Sequence, residues 1–277
     1  MKKALKRLFK WLLEGVPSYE ITASISQISP SERLKGKKII VTGGGRGLGF
    51  YMAQKFVEEG ARVLISGRDL ETLKVASSKM NDSPYLQFDM RNIEQIPSFL
   101  QEANRLLGGN IDCLVNNAGI SLHESSFDAV SPEGFDNQFA TNLRGPYFLS
   151  QAIIKYWEQN QIKNANILFI TSERGFYCDV IPYGLTKAAI NSLTVGLARK
   201  YVIKGIRVNA IAPGVTASDM TGFDKGGNLY RENSCGKRVF LPEEVAEAAT
   251  FLLSDASICI SGEILPCNQG NHYRCDW

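Results

Sequence analysis

The chain has 277 residues, 44% of them hydrophobic and 21% charged, enough to close a full core and too apolar for a disordered chain. Its net charge of +3 is uneven: residues 1–38 carry +6 and residues 39–277 carry −3, so the body lacks the basic footprint of a nucleic-acid binder. Six scattered cysteines with no CxxC pair and only two histidines give no zinc spacing, so reduced thiols, no metal and a cytoplasmic location are expected.

Residues 1–35 form a separate N-terminal unit ahead of a single domain over 36–277. Leu5, Leu8, Phe9 and Leu12 repeat at i, i+3, i+4 and i+7 opposite Lys3, Lys6, Arg7 and Lys10, which predicts a basic amphipathic helix. It packs on the body or a partner subunit, with weak contact of residues 1–15 with a membrane surface as the alternative. Lys10 breaks the apolar stretch and no small-residue cleavage site follows, which argues against a signal peptide. Residues 17–36 read as a polar, Pro/Ser-containing linker.

From Lys38 short apolar runs alternate with helical patterns. Strands are expected at 37–43, 61–66, 84–88, 111–115, 166–172, 207–213 and 263–266, with helices near 48–59, 69–80, 92–107, 131–159, 182–203 and 242–254. Ser131 and Pro132 give the fourth helix a cap and a first-turn proline. Strict alternation means an α/β, doubly wound Rossmann-type fold: a parallel sheet of about seven strands, covered on both faces.

The first strand runs into Thr42, Gly43, Gly44, Gly45, Arg46, Gly47, Leu48 and Gly49, which fits GxxxGxG at 43, 47 and 49. Glycines let backbone approach a pyrophosphate, and a helix N-terminus offers free N–H groups. Such a turn alone is also a tight strand–helix connection; opening an alternating chain, it favours a dinucleotide. Ser66-Gly67-Arg68 ends the second strand without the acid that accepts from ribose hydroxyls, and Arg46 lies in the first loop. Two guanidinium groups suit a 2′-phosphate, hence NADP(H) over NAD(H), although Asp69 follows directly.

Tyr183 and Lys187 stand at i and i+4 on one helix face, where a cation beside a phenol favours proton transfer. YxxxK alone recurs by chance. Together with TGGGRGLG at 42–49, Asp89, Asn116-Asn117-Ala118-Gly119, Asn142, Ser172 and Pro213-Gly214, it makes residues 36–270 resemble the short-chain dehydrogenase/reductase family, in its 3-oxoacyl-carrier-protein reductase branch.

The resemblance implies an oxidoreductase that interconverts a ketone and a secondary alcohol. Tyr183 is then the proton donor or acceptor, Lys187 lowers its pKa and holds the nicotinamide ribose, Ser172 binds the substrate oxygen, and Asn142 holds a water that relays protons. Asp89 and Met90 meet the adenine, Asn116, Ala118 and Gly119 line the groove, and Pro213, Gly214 and Thr216 flank the nicotinamide. A homodimer or homotetramer through the helices at 131–158 and 182–203 is also implied, with a small-molecule carbonyl or alcohol as substrate. A 3-oxoacyl thioester leads; a hydroxysteroid or sugar alcohol is the alternative within the family, and a non-catalytic dinucleotide sensor the alternative outside it.

Several positions depart from the family pattern. Ser172 precedes Tyr183 by eleven residues, two fewer than is common, so either the intervening loop is trimmed or Thr171 takes the serine's role. CNQG at 267–270 replaces the frequent Asp-Gly-Gly ending, and 271–277 run on, to meet a second subunit or cover the site's mouth. Residues 217–240 fall where the family places its substrate lid; their glycines suit closure, and Lys225, Arg231, Lys237 and Arg238 suit either an anionic substrate or a solvated loop. Cys178 is expected to be a packing cysteine, with pocket lining as the alternative.

Overall fold

The structure is a computed structural model that describes residues 20–22, 32–218 and 220–273. The expected N-terminal helix therefore falls outside the described residues. Seven strands, β1 (Lys38–Thr42), β2 (Arg62–Gly67), β3 (Tyr85–Gln87), β4 (Cys113–Asn116), β5 (Ala165–Ile170), β6 (Ile206–Pro213) and β7 (Ile264–Cys267), form one sheet in the order β3-β2-β1-β4-β5-β6-β7. Every neighbouring pair is parallel. The helices between them are α1 (Gly47–Glu58), α2 (Leu70–Ser78), α3 (Ile96–Leu107), α4 (Pro132–Phe139), α5 (Gly145–Gln159), α6 (Pro182–Tyr201) and α7 (Pro242–Leu253).

Strand residues alternate between two cores. Ile40 and Leu114 face α3, α5 and α6, where Trp157 and Phe169 are buried, while Ile39, Val41 and Val115 face α1, α2 and α7 with Met52 and Phe56. Burial on both faces explains why the strands read as continuous apolar runs. Two buried polar groups fix the far ends of helices. Arg207 donates to the carbonyls of Leu252, Ser254 and Ser257, satisfying the C-terminus of α7. Glu59, fully buried, pairs with Arg33 at 2.5 Å and Lys55 at 3.0 Å, fastening the turn before β1 to α1.

The predicted helix over 131–159 is interrupted. Ala140–Arg144 form one π-helical turn between α4 and α5, at which the helical path shifts to bring Asn142 inward. The sheet order reverses between β1 and β4, and the crevice outside their carboxyl ends is where α/β sheets bind ligands.

Candidate active site

The glycine-rich turn needs glycine at several positions, for backbone conformation or for space. Gly43 and Gly47 have φ of +66° and +52°, and a Cβ on Gly49 would fall on Gly43 O and Asn117 Nδ2. No side chain caps α1 and no acid lies in its first turn, so its N–H groups are left for an anion. Leu48 is half-buried, and Gly45 lies against Thr72 and Leu73 of α2. Thr42 is fully buried; its Oγ1 accepts from the N–H groups of Asn117 and Ala118, both at 3.1 Å, so it props the loop after β4 rather than meeting a ligand.

Asn116 is a correction of a similar kind. Its Nδ2 donates to Ser150 Oγ at 3.1 Å and its Oδ1 is buried without a partner, so the side chain serves the β4–α5 contact instead of the groove. Asn117 satisfies backbone groups of the neighbouring strand, its Nδ2 donating to Thr42 O at 2.9 Å and Gly43 O at 3.1 Å. Gly119 opens the crevice: a Cβ there would lie 3.4 Å from Asn142 Oδ1 and 3.5 Å from Lys187 Nζ.

At the β2 end, Arg46 and Arg68 flank Asp69 and Asp89, and each arginine helps hold one carboxylate below its usual range. Hydrogen bonding is the larger cause in both. Asp69 caps α2, accepting from Thr72 N at 2.6 Å, which commits its carboxylate away from any ribose. Asp89 is gripped by the Arg91 guanidinium at 2.6 Å. Met90 is buried, and its carbonyl packs so closely on Gly145 that no side chain fits there.

Ser172 follows β5, and Tyr183 sits in the first turn of α6. The Ser172 hydroxyl lies near enough to the phenol to favour loss of its proton, so the shortened loop still brings the serine beside Tyr183. Ser172 Oγ also accepts from Arg174 N at 3.2 Å. Thr171 is excluded as its substitute, because its hydroxyl is buried and donates to Ile211 O at 3.1 Å. The loop is cinched by Arg174 and Asp179, bonded at 2.6 and 2.7 Å, and Gly184 lets Asp179 lie against the helix.

Lys187 Nζ lies 5.5 Å from the Tyr183 ring centroid and donates to Ile170 O at 2.9 Å. Burial pushes its pKa down to about 8. The expected depression of the phenol is not what these surroundings produce. Burial raises Tyr183 above its ordinary value, outweighing the influence of the Ser172 hydroxyl and Arg174. Asn142 is buried with its amide paired to the Ile120 backbone, Oδ1 to N and Nδ2 to O, each at 2.8 Å. Its side chain is thus occupied in shaping the loop above Gly119.

Pro213 ends β6, and Gly214 is pressed between Phe240 and Asn268, where a Cβ would lie 2.7 Å from Phe240 and 2.9 Å from Asn268. Thr216 donates to Gly214 O at 3.0 Å. In the lid, Lys225 pairs with Glu243 at 2.8 Å and Arg238 with Glu244 at 2.5 Å, while Lys237 reaches Glu232. Most of the segment's positive charge is therefore neutralised within the chain. Ile21 donates to Asn228 Oδ1 at 3.2 Å and accepts from Leu229 N at 3.1 Å, so the N-terminal segment reaches the lid. Cys178 is exposed, contrary to a packing role, and it is free, as are Cys113, Cys235, Cys259 and Cys267. Among the described residues no acid, cysteine and histidine group could hold a metal, and no helix is long and apolar enough to cross a membrane.

Comparison with known proteins agrees with this geometry. A family model described as Enoyl-(Acyl carrier protein) reductase matches residues 43–272. The chain is 34% identical to 3-oxoacyl-(acyl-carrier-protein) reductase of Chlamydia trachomatis, over 86% of this chain and 98% of the relative. It is 32% identical to L-fucose dehydrogenase of Bos taurus, over 84% and 88%. Among solved structures, 3-ketoacyl-(acyl-carrier-protein) reductase from Brucella melitensis complexed with NADH superposes with a TM-score of 0.80 at 28% identity, covering 87% of this chain and all of that one. The chain belongs to the short-chain dehydrogenase/reductase family and is an oxidoreductase acting on alcohol and ketone groups.

Proposed function

We propose that the protein is an NADP(H)-dependent carbonyl reductase that interconverts a ketone and a secondary alcohol. The observation that carries this reading is the convergence of Ser172, Tyr183 and Lys187 beside Gly119, at the crevice into which the uncapped α1 points. A bound nicotinamide supplies or takes the hydride. Tyr183 gives its proton to the carbonyl oxygen, and burial keeps that proton in place until the oxygen develops charge. Ser172 donates to the same oxygen, and Lys187 would hold the nicotinamide ribose hydroxyls. Asn142 holds the Ile120 backbone above Gly119 and, in this reading, the proton-relay water.

The groove fits a dinucleotide on its own terms: a Cβ at Gly43 or Gly49 would collide, so the backbone there stays bare for a phosphate. NADP(H) is favoured because Asp69 is spent on Thr72, which supports Arg46 and Arg68 as the groups that would hold a 2′-phosphate. Gly43, Gly45, Gly47, Leu48 and Gly49 would line the pyrophosphate, Asp89 and Met90 the adenine, and Pro213, Gly214 and Thr216 the nicotinamide.

A 3-oxoacyl thioester is the leading substrate class, supported by the likeness to the two acyl-carrier-protein reductases. It no longer draws support from the basic lid, whose cations are mostly paired. Sugar or steroid alcohols follow, as the names of other relatives suggest. A homodimer or tetramer fits the mostly apolar groove of about 750 Å³ between α4, α5 and α6, lined by Phe139, Leu143, Tyr147 and Leu193. Oxidation of NADPH by a panel of ketones tests the activity, and sedimentation tests the assembly: a monomer at all concentrations would contradict it.

A further inference from the structure

One buried carboxylate beside the site has no part in the proposed chemistry. Glu173 directly follows Ser172 and is 6% exposed. Its Oε2 accepts from Asn268 Nδ2 at 3.2 Å and from Asn271 Nδ2 at 2.9 Å. Asn268 Oδ1 in turn shares a hydrogen bond with His272 Nδ1 at 2.9 Å, and the Tyr177 hydroxyl donates to Asn271 O at 3.1 Å. Asn271 Oδ1 accepts from Cys235 N of the lid at 3.2 Å. A single side chain therefore joins the end of β5 to the segment beyond β7, and Asn271 extends the tie to the lid.

The residue type is an expensive choice for a mere tie. Among the described residues no lysine or arginine pairs with Glu173; its neighbour Arg174 is held by Asp179. A buried carboxylate without a cation is costly, and a glutamine would accept the same amide protons without that cost. The negative charge faces Tyr183, whose other charged neighbours are Arg174, with Asp179 behind it, and Lys187 one turn along α6. His272 is the titratable group that the C-terminal segment brings to the cluster. Glu173 opposes loss of the phenolic proton while Arg174 favours it.

We infer that Glu173 is a positioning residue for the carbonyl reduction proposed above: it holds Asn268 and Asn271 so that the Ser172 turn, the C-terminal segment and the lid form one wall of the site. This assigns a role to Asn268, within the stretch that replaces the family's usual ending, and to Asn271 just beyond it.

The test uses the full chain and two readouts. In hydrogen exchange, Asn271→Ala and Glu173→Ala raise exchange roughly tenfold at 173–177 and 268–273, as loss of a hydrogen bond or two allows, while β1 and α1 stay protected. Unchanged protection at 268–273 overturns the tie. In kinetics, Glu173→Gln keeps an acceptor and loses the charge, so the alkaline limb of kcat/KM for NADPH-dependent ketone reduction moves down by roughly half a pH unit. A limb that stays in place overturns the reaction role, because a purely structural glutamate would alter rates without moving it. A wild-type protein that reduces no ketone sinks the proposed function, and with it Glu173's role in that reaction; the exchange experiment still decides the tie.

Discussion

The two sides of the crevice are built by different means. On the cofactor side, from β1 to β4, the walls are backbone: glycines at 43, 47 and 49, held by Thr42 and Asn117. On the substrate side, beyond β5, the walls are side chains from distant parts of the sequence, with Ile21 on the lid and Asn271 joining the lid to Glu173. The first design leaves little to vary, since a Cβ would collide at Gly43 and Gly49 and Gly47 holds a positive φ. The second can change its shape with single substitutions while the sheet beneath stays intact, which is how one fold serves many substrates.

This contrast predicts a graded series of effects. Tyr183→Phe removes the proton donor and should lower kcat by about 10³-fold, within the range of general acid catalysis, with NADPH affinity measured by fluorescence unchanged. Retained turnover would move the chemistry elsewhere in the site.

Lys187→Met should also abolish turnover, yet stabilise the fold at pH 7. The folded-state pKa of about 8 lies below the 10.5 of the free side chain, so the unfolded chain binds more protons between those values and stability rises with pH across that window. The variant's advantage, about 3 kcal/mol at pH 7 from that difference, should therefore shrink from pH 8 upward and vanish near pH 10.5. Urea titrations at both ends of the window check it; an advantage that grows with pH would reverse the assigned burial effect.

Replacing Arg46 or Arg68 by alanine should weaken NADPH binding roughly 10- to 100-fold, the loss of one charge-assisted hydrogen bond, and leave NADH binding almost unchanged. Equal losses for both cofactors would place the arginines on a shared part of the dinucleotide. Ile21→Pro removes one donor to the lid and should raise KM for the carbonyl substrate roughly threefold, with kcat and cofactor affinity held. A matching change in cofactor affinity would show that the N-terminal segment does not act on the substrate side alone.

The same contrast explains what the sequence revealed. The sheet was legible because each strand is a short apolar run bounded by turn residues, and the doubly wound order follows from alternation. Gly43, Gly47, Gly49, Tyr183 and Lys187 were legible because local spacing places them. Thr42 and Asn116 were found, but as cofactor contacts, when their side chains are spent on the loop after β4 and on Ser150. The π-helical turn at 140–144 left no mark, since its residues repeat with an ordinary helical pattern. Glu173 reads as one more polar residue in a loop; only the return of Asn268 and Asn271 from nearly a hundred residues away buries it. The pairing of the cations at 225 and 238 is hidden in the sequence for the same reason, as their partners Glu243 and Glu244 belong to α7.

The most direct measurement is the oxidation of NADPH by the purified protein with 3-oxoacyl thioesters, oxo-steroids and keto-sugars, with NADH in parallel. The account predicts turnover with NADPH on one of these classes and slow or no turnover with NADH. Turnover with NADH alone would contradict the role given to Arg46 and Arg68, and silence with every ketone would contradict the proposed reduction itself.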